Sequence, residues 1–72
     1  MESNLQLLDV VALTEGIPDR GLQRGQVGTV VEVRAPQVFE VEFADDNGRS
    51  YASLAVPAQH LMVLHYEPEE VR

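Results

Sequence analysis

The chain has 72 residues with twelve carboxylates, five arginines and no lysine, giving a formal net charge of −7. A chain of this length builds one domain and withdraws only about 60% of its unfolded surface from water, which excludes a multidomain enzyme with a deep cleft. Cysteine is absent, so no disulfide framework or thiolate metal site supplements the core, and the negative balance argues against non-specific attraction to nucleic acid or anionic membrane.

In chain order, Met1-Glu2-Ser3-Asn4 has no basic n-region and is followed by no signal-like apolar segment. No stretch reaches the roughly 18 to 20 apolar residues of a membrane span. A cytoplasmic chain is the expectation. Hydrophobic residues at 44% and charged residues at 24% are the proportions of a folded protein rather than a disordered one.

Residues 7–14 form a first apolar run rich in Val and Leu. Its uniformity hides any periodicity, but its shortness and the Val10-Val11 pair favour a strand. Residues 15–26 then carry Gly16, Pro18, Gly21 and Gly25, breakers that exclude both helix and regular strand. A loop this long in so small a domain is either functional or packed on itself.

Next, Val27, Thr29, Val31 and Val33 alternate with Gly28, Val30, Glu32 and Arg34, so the first set is read as the more apolar face. After Ala35-Pro36-Gln37, the residues Phe39, Val41 and Phe43 alternate with Val38, Glu40 and Glu42, a half-buried strand by its period of two. Setting Val33 opposite Phe39 predicts Val31 opposite Val41 and Thr29 opposite Phe43. Asp45-Asp46-Asn47-Gly48 is a turn tetrapeptide. Closing it with Ala44 opposite Arg49 predicts Val41 opposite Ala52 and Phe39 opposite Leu54, so Ala52, Leu54 and Val56 point inward. Pro57-Ala58-Gln59-His60 predicts a single 3₁₀ turn, and Leu61-Met62-Val63-Leu64 a closing strand.

Five short strands with a long first loop and a 3₁₀ turn before the last predict an all-β, five-stranded SH3-like barrel over residues 1–65. Residues 66–72 read as an acidic, flexible C-terminal tail.

At this point a family resemblance is carried by Leu8-Asp9-Val10-Val11-Ala12-Leu13, by Gly21-Leu22-Gln23-Arg24-Gly25-Gln26-Val27-Gly28-Thr29-Val30-Val31-Glu32-Val33, by Val41-Glu42-Phe43 and by Asp46-Asn47-Gly48-Arg49. Together these segments resemble the small bacterial family catalogued as domain of unknown function 4926, over roughly residues 7–64. The resemblance implies a fold and no defined functional residues. Members look like accessory genes beside toxin- or nuclease-like domains, which implies an antitoxin or immunity-type partner. The Gly25-x-x-Gly28-x-Val30 spacing occurs in many SH3-like barrels. It is also similar to the KOW segment of ribosomal and transcription proteins, but those present Lys and Arg to RNA. Here the outward positions of the central strands hold Glu32, Glu40 and Glu42, which repel phosphates.

Catalysis needs convergent groups in a pocket that excludes water. His60 and His65, the only imidazoles, lie five residues apart with Glu67 as the nearby carboxylate, too sparse a set for a metal site. Ser50 and Ser53 have no histidine at a triad-like spacing. Glu40 and Glu42 on one strand face read as a solvated face. No enzyme, metal or cofactor is expected. An SH3-type polyproline groove needs several aromatics; there is no Trp, Phe39 and Phe43 belong to the core, and only Tyr51, placed beside Glu42, and Tyr66 remain.

The candidate contact residues are therefore Ile17, Arg20, Leu22 and Arg24 in the long loop, Tyr51, and the acidic group Glu32, Glu40 and Glu42. Two readings of the loop stay open. Ile17 and Leu22 either fold back over the barrel end or join Tyr51 in a patch for a partner. The functional expectation is a non-enzymatic module that binds another protein, a basic one, through the acidic face and the loop. A nucleic-acid-binding barrel and a self-associating structural protein are the alternatives, the latter because exposed strand edges pair readily.

Overall fold

In the computed structural model, residues 5–65 and 68 are described. The elements are β1 (Val10–Leu13), η1 (Pro18–Arg20), β2 (Val27–Ala35), β3 (Val38–Ala44), β4 (Ser50–Pro57), η2 (Ala58–His60) and β5 (Leu61–Val63). The five strands form one antiparallel sheet in the order β4-β3-β2-β1-β5. The all-β class, the strand count and the 3₁₀ turn before the last strand agree with the sequence. Closure does not: the sheet is open, with β4 and β5 as its edges. The tail read at residues 66–72 lies outside the described residues apart from Pro68.

The inner face is built around one lateral row. Val63, Val11, Gly28, Phe43 and Ala52 stand side by side across β5, β1, β2, β3 and β4. Phe43, wholly buried, heads the largest fully buried side chains and is flanked by the two smallest residues of the row. A Cβ on Gly28 would lie 2.7 Å from Val41 Cγ1 and 2.9 Å from Phe43 Cδ1, so the missing side chain is space that its neighbours occupy. The row above contributes Val30, Val41 and Leu54, and the one beyond it Phe39 and Val56. Val56 on one edge strand and Leu61 on the other belong to the same buried cluster, so the sheet curls until its edges share a core.

The inward face of β2 differs from the sequence expectation. Val33 does lie opposite Phe39, but the register slips at Val31, so Val30 faces Val41 and Gly28 faces Phe43. A β-bulge leaves Val31 without a partner and reverses the parity. Val27 and Val31 are therefore exposed, and Val33, past the end of β1, is 51% exposed. The β3–β4 pairing is displaced by two residues instead: Val41 faces Leu54 and Phe39 faces Val56. A shift of two preserves every face, so Ala52, Leu54 and Val56 point inward as expected.

The turn occupies Asp45 to Gly48 as expected, but it closes with Ala44 opposite Ser50 rather than Arg49. Gly48 N donates to Asp45 O at 2.9 Å, and Gly48 adopts a φ of 79°. Asp45 Oδ1 accepts from the amides of Asn47 and Arg49 at 2.9 and 3.0 Å. The Ala44–Ser50 closure accounts for one residue of the displacement and Tyr51, taken up where the register slips between Phe43 and Ala44, for the other. The first strand begins later than residue 7, because Gln6 N donates to Asp9 Oδ2 and Asp9 N to Gln6 O, closing a turn with Leu8 at a φ of 71°.

The long loop packs on itself. Pro18 opens η1 with its fixed φ, and Gly21 closes it in the left-handed conformation. Ile17 and Leu22 exchange backbone hydrogen bonds of 2.8 and 3.1 Å across the turn. Leu22 is 3% exposed and Ile17 packs against the core, which decides for the fold-back of these two side chains.

Gly28→Ala should lower stability by about 1–3 kcal/mol, because three close neighbours must move at once. A urea midpoint equal to wild type would contradict this account of the row. Asp45→Ala should cost about 1 kcal/mol through its two amide hydrogen bonds, measured by the same denaturation.

Candidate functional site

Since Phe39, Val41 and Phe43 point inward, Glu40 and Glu42 must point outward. The outer face of the sheet carries two rows, Thr29, Glu42 and Ser53, and Glu32, Glu40 and Ala55. The expected acidic group is thus assembled, with Glu32 directly opposite Glu40. Like charges in that position repel, and the structure shows what relieves the pair.

Arg34 is the unpartnered residue at a second slip in β2. Its Nε donates to Glu40 Oε1 at 3.0 Å. Ser53 Oγ donates to the other carboxylate oxygen, Oε2, at 2.7 Å. The Glu40 side chain is only 14% exposed against 52% for Arg34. The Ser53 hydrogen bond, followed by that from Arg34, holds the Glu40 carboxyl below its ordinary value, against a smaller opposing effect of desolvation. The Arg34 guanidinium is raised, first by its hydrogen bond to Glu40 and then by the charges of Glu32 and Glu40. Glu40 is therefore occupied within the domain. Glu32 and Glu42 are exposed and make no ion pair among the described residues.

Tyr51 does not stand beside Glu42, whose neighbour on β4 is Ser53. As the extra residue of the β4 slip it turns toward the loop, where Gln26 Nε2 donates to its Oη at 2.6 Å. Gln26 Oε1 in turn accepts from Gln23 N at 2.9 Å. Tyr51 keeps 48% exposure but is a brace between β4 and the loop. Of the loop candidates, Arg20 and Arg24 are exposed. Arg24 borders a shallow depression with Leu13, Thr14, Gly25 and Met62. No ion pair or hydrogen bond among the described residues joins Arg20 or Arg24 to Glu32, Glu40 or Glu42.

Ser53 and Gln26 are the residues that sequence reasoning missed. Ser53 falls directly opposite Glu40 in the register expected from the sequence and diagonal to it in the structure, but nothing in the sequence marks its hydroxyl as the donor to Glu40. Gln26 is a polar loop residue with no local signal. His60 Nε2 lies 3.2 Å from Glu15 Oε1, His65 is exposed, and Glu67 is outside the described residues. Among the described residues, no group of three or more His, Asp and Glu is placed to hold a metal ion, and no helix is long and apolar enough to cross a membrane.

The Glu40 contacts set a pH dependence. The folded carboxyl holds its proton less tightly than the unfolded one, so the unfolded chain takes up protons first as pH falls. Stability from Glu40 is complete above the ordinary value of 4.5 and is lost as pH drops through the lower folded value. Glu40→Gln should show a flatter acid limb in a plot of thermal midpoint against pH. Parallel acid limbs for the two proteins would refute the assignment.

Comparison with curated proteins and with solved structures yields no match. A family model does match, over residues 7–63, the segment running from the turn before β1 to the last residue of β5. The chain belongs to the family described as domain of unknown function 4926.

Proposed function

We propose that this chain is a non-enzymatic interaction module that receives a basic protein on the outer face of β2, β3 and β4. The supporting observation is charge placement. Glu32 and Glu42 project from adjacent strands and neither makes an ion pair among the described residues, while Arg34, which also feels the charge of Glu32, is bonded to Glu40. A field of this sign raises the rate of encounter with a cationic surface and disfavours phosphate. A basic toxin- or nuclease-like protein bound by an antitoxin or immunity-type chain is the form of partner that the family resemblance implies. The Ser53 hydroxyl donates to Glu40 and His60 bonds Glu15, so neither is arranged as a nucleophile and base with the other.

Co-expression with the product of the neighbouring gene, followed by binding kinetics on the purified pair, tests this reading. The expected result is an association rate that falls several-fold between about 0.05 and 0.5 M salt. Replacing Glu32 and Glu42 together by Gln should lower the low-salt rate by about threefold or more. A partner that ignores both salt and the double substitution would overturn it, as would retardation of RNA or DNA in a gel shift.

A further inference from the structure

The sheet has two open edges of different character. β5 offers three residues, whereas β4 offers eight, Ser50–Pro57. Native edges are commonly guarded by charge, by an interior proline or by shortness. In β4 none of these appears: the segment is Ser-Tyr-Ala-Ser-Leu-Ala-Val, its proline is the last residue, and its one register slip, a further kind of guard, lies at Tyr51 beside the turn, outside Ala52–Pro57. In a chain with 24% charged residues, no charged side chain occurs from Ser50 to Gln59.

The ladder fixes which groups this edge presents. Ala58 N donates to Gln37 O at 2.8 Å. The adjacent pair, Val38 with Pro57, is therefore a non-hydrogen-bonded pair, and so in alternation are Glu40 with Ala55 and Glu42 with Ser53. The amides and carbonyls of Ser53 and Ala55 thus point away from β3, toward the open edge. Pro57, which has no N–H, occupies the matching position, where the ladder loses nothing.

We propose that β4 accepts an added strand from the partner, an extended segment with basic side chains at every second residue. The inference rests on the reading of the acidic face as the basic-partner site and adds its mode. Ser53 and Ala55 are small and exposed and lie between the edge and the acids, Ser53 beside Glu42 and Ala55 beside Glu40. The added strand and β3 are two strand spacings apart, about 9.6 Å, a gap that a long cationic side chain reaching over these residues and a Glu side chain reaching back span together. The cationic side chain then meets Glu42, with Glu32 beyond Glu40 in the next row. Main-chain bonds to Ser53 and Ala55 supply affinity and the carboxylates select the sign of the side chains. A second copy of this chain fits the face less well, because it also carries −7 and its β4 has no cation to offer.

The probe is a peptide of the same eight-residue length as β4, alternating Lys with Val, titrated into the isotopically labelled chain at low salt. The expected result is displacement of the Ser53 and Ala55 amide resonances together with slowed hydrogen exchange at both. A peptide N-methylated on the residues that bond the edge should bind about tenfold more weakly or worse. Ala55→Pro should keep the thermal midpoint near wild type, since that amide does not serve β3, and should lose peptide binding to the same extent. If that variant fails to fold, the N-methylated peptide still decides the matter.

Binding lost in the Glu32, Glu42 double substitution but retained by both Ala55→Pro and the N-methylated peptide would overturn strand addition and leave the acidic-face reading standing. Binding indifferent to the double substitution would overturn both. Absence of peptide binding to wild type would overturn the inference. So would a dimer, seen by sedimentation at micromolar concentration, that Ala55→Pro dissolves, since a second copy would then hold the edge.

Discussion

Everything else in this domain depends on the Phe43 ring lying over Gly28. The ring belongs to β3, the glycine to β2, and Val11 flanks the glycine on the far side. A side chain at Gly28 would collide with Val41, Phe43 and the Glu42 carbonyl of β3 and strain the β2–β3 pairing, and β2 alone joins β3 and β4 to β1 and β5. In a 72-residue chain with no disulfide, the core is too small to absorb such a displacement elsewhere. Ala52 completes the arrangement from the other side, so a bulky ring sits between two small residues at the centre of the buried cluster.

The outer face follows from the inner one. With Phe39, Val41 and Phe43 fixed inward, the period of two sends Glu40 and Glu42 outward with no freedom left to the chain. The register of β2 then sets Glu32 against Glu40. Such a juxtaposition is unfavourable in isolation, and Arg34 and Ser53 convert Glu40 into a hydrogen-bonded member of the sheet. The relief is selective. It draws in one carboxylate and leaves its neighbours Glu32 and Glu42 open to solvent. The same contacts make Glu40 the group through which acid reaches the sheet.

How much of this was legible in the sequence depended on how much each segment contrasted its two faces. In β3, aromatic and aliphatic residues alternate with glutamates, and the faces were read correctly. The Asp45 to Gly48 turn is legible too; the two-residue difference in register beyond it comes half from Ala44 closing on Ser50 rather than Arg49 and half from the slip that takes up Tyr51, and it changes neighbours but no face. In β2, valine occurs at positions of both parities, so nothing in the pattern marks Val31 as the bulge. The sequence reading therefore chose Val27, Val31 and Val33 for the interior, where Gly28 and Val30 belong. At the candidate site, outward Glu32, Glu40 and Glu42 were legible from periodicity. The Tyr51 brace was not, since it depends on the slip in β4 and on a loop residue; Ser53 lies next to Glu40 in either register, but no local pattern marks its hydroxyl as the donor.

The open edge of β4 and the acidic face are coupled by the same geometry. Residues whose side chains share the outer face with Glu40 and Glu42 are, in this ladder, those whose amides turn away from β3. A strand added at the edge therefore bonds Ser53 and Ala55 while their side chains set the step between it and the carboxylates. Had the hydrogen-bonding alternation fallen one residue earlier, the outward amides would have belonged to Ala52, Leu54 and Val56, whose side chains lie in or against the core. An incoming strand would then have bonded residues with no acidic neighbour on their face. The parity that buries Phe43 thus places backbone donors and carboxylates where one extended cationic segment can engage both.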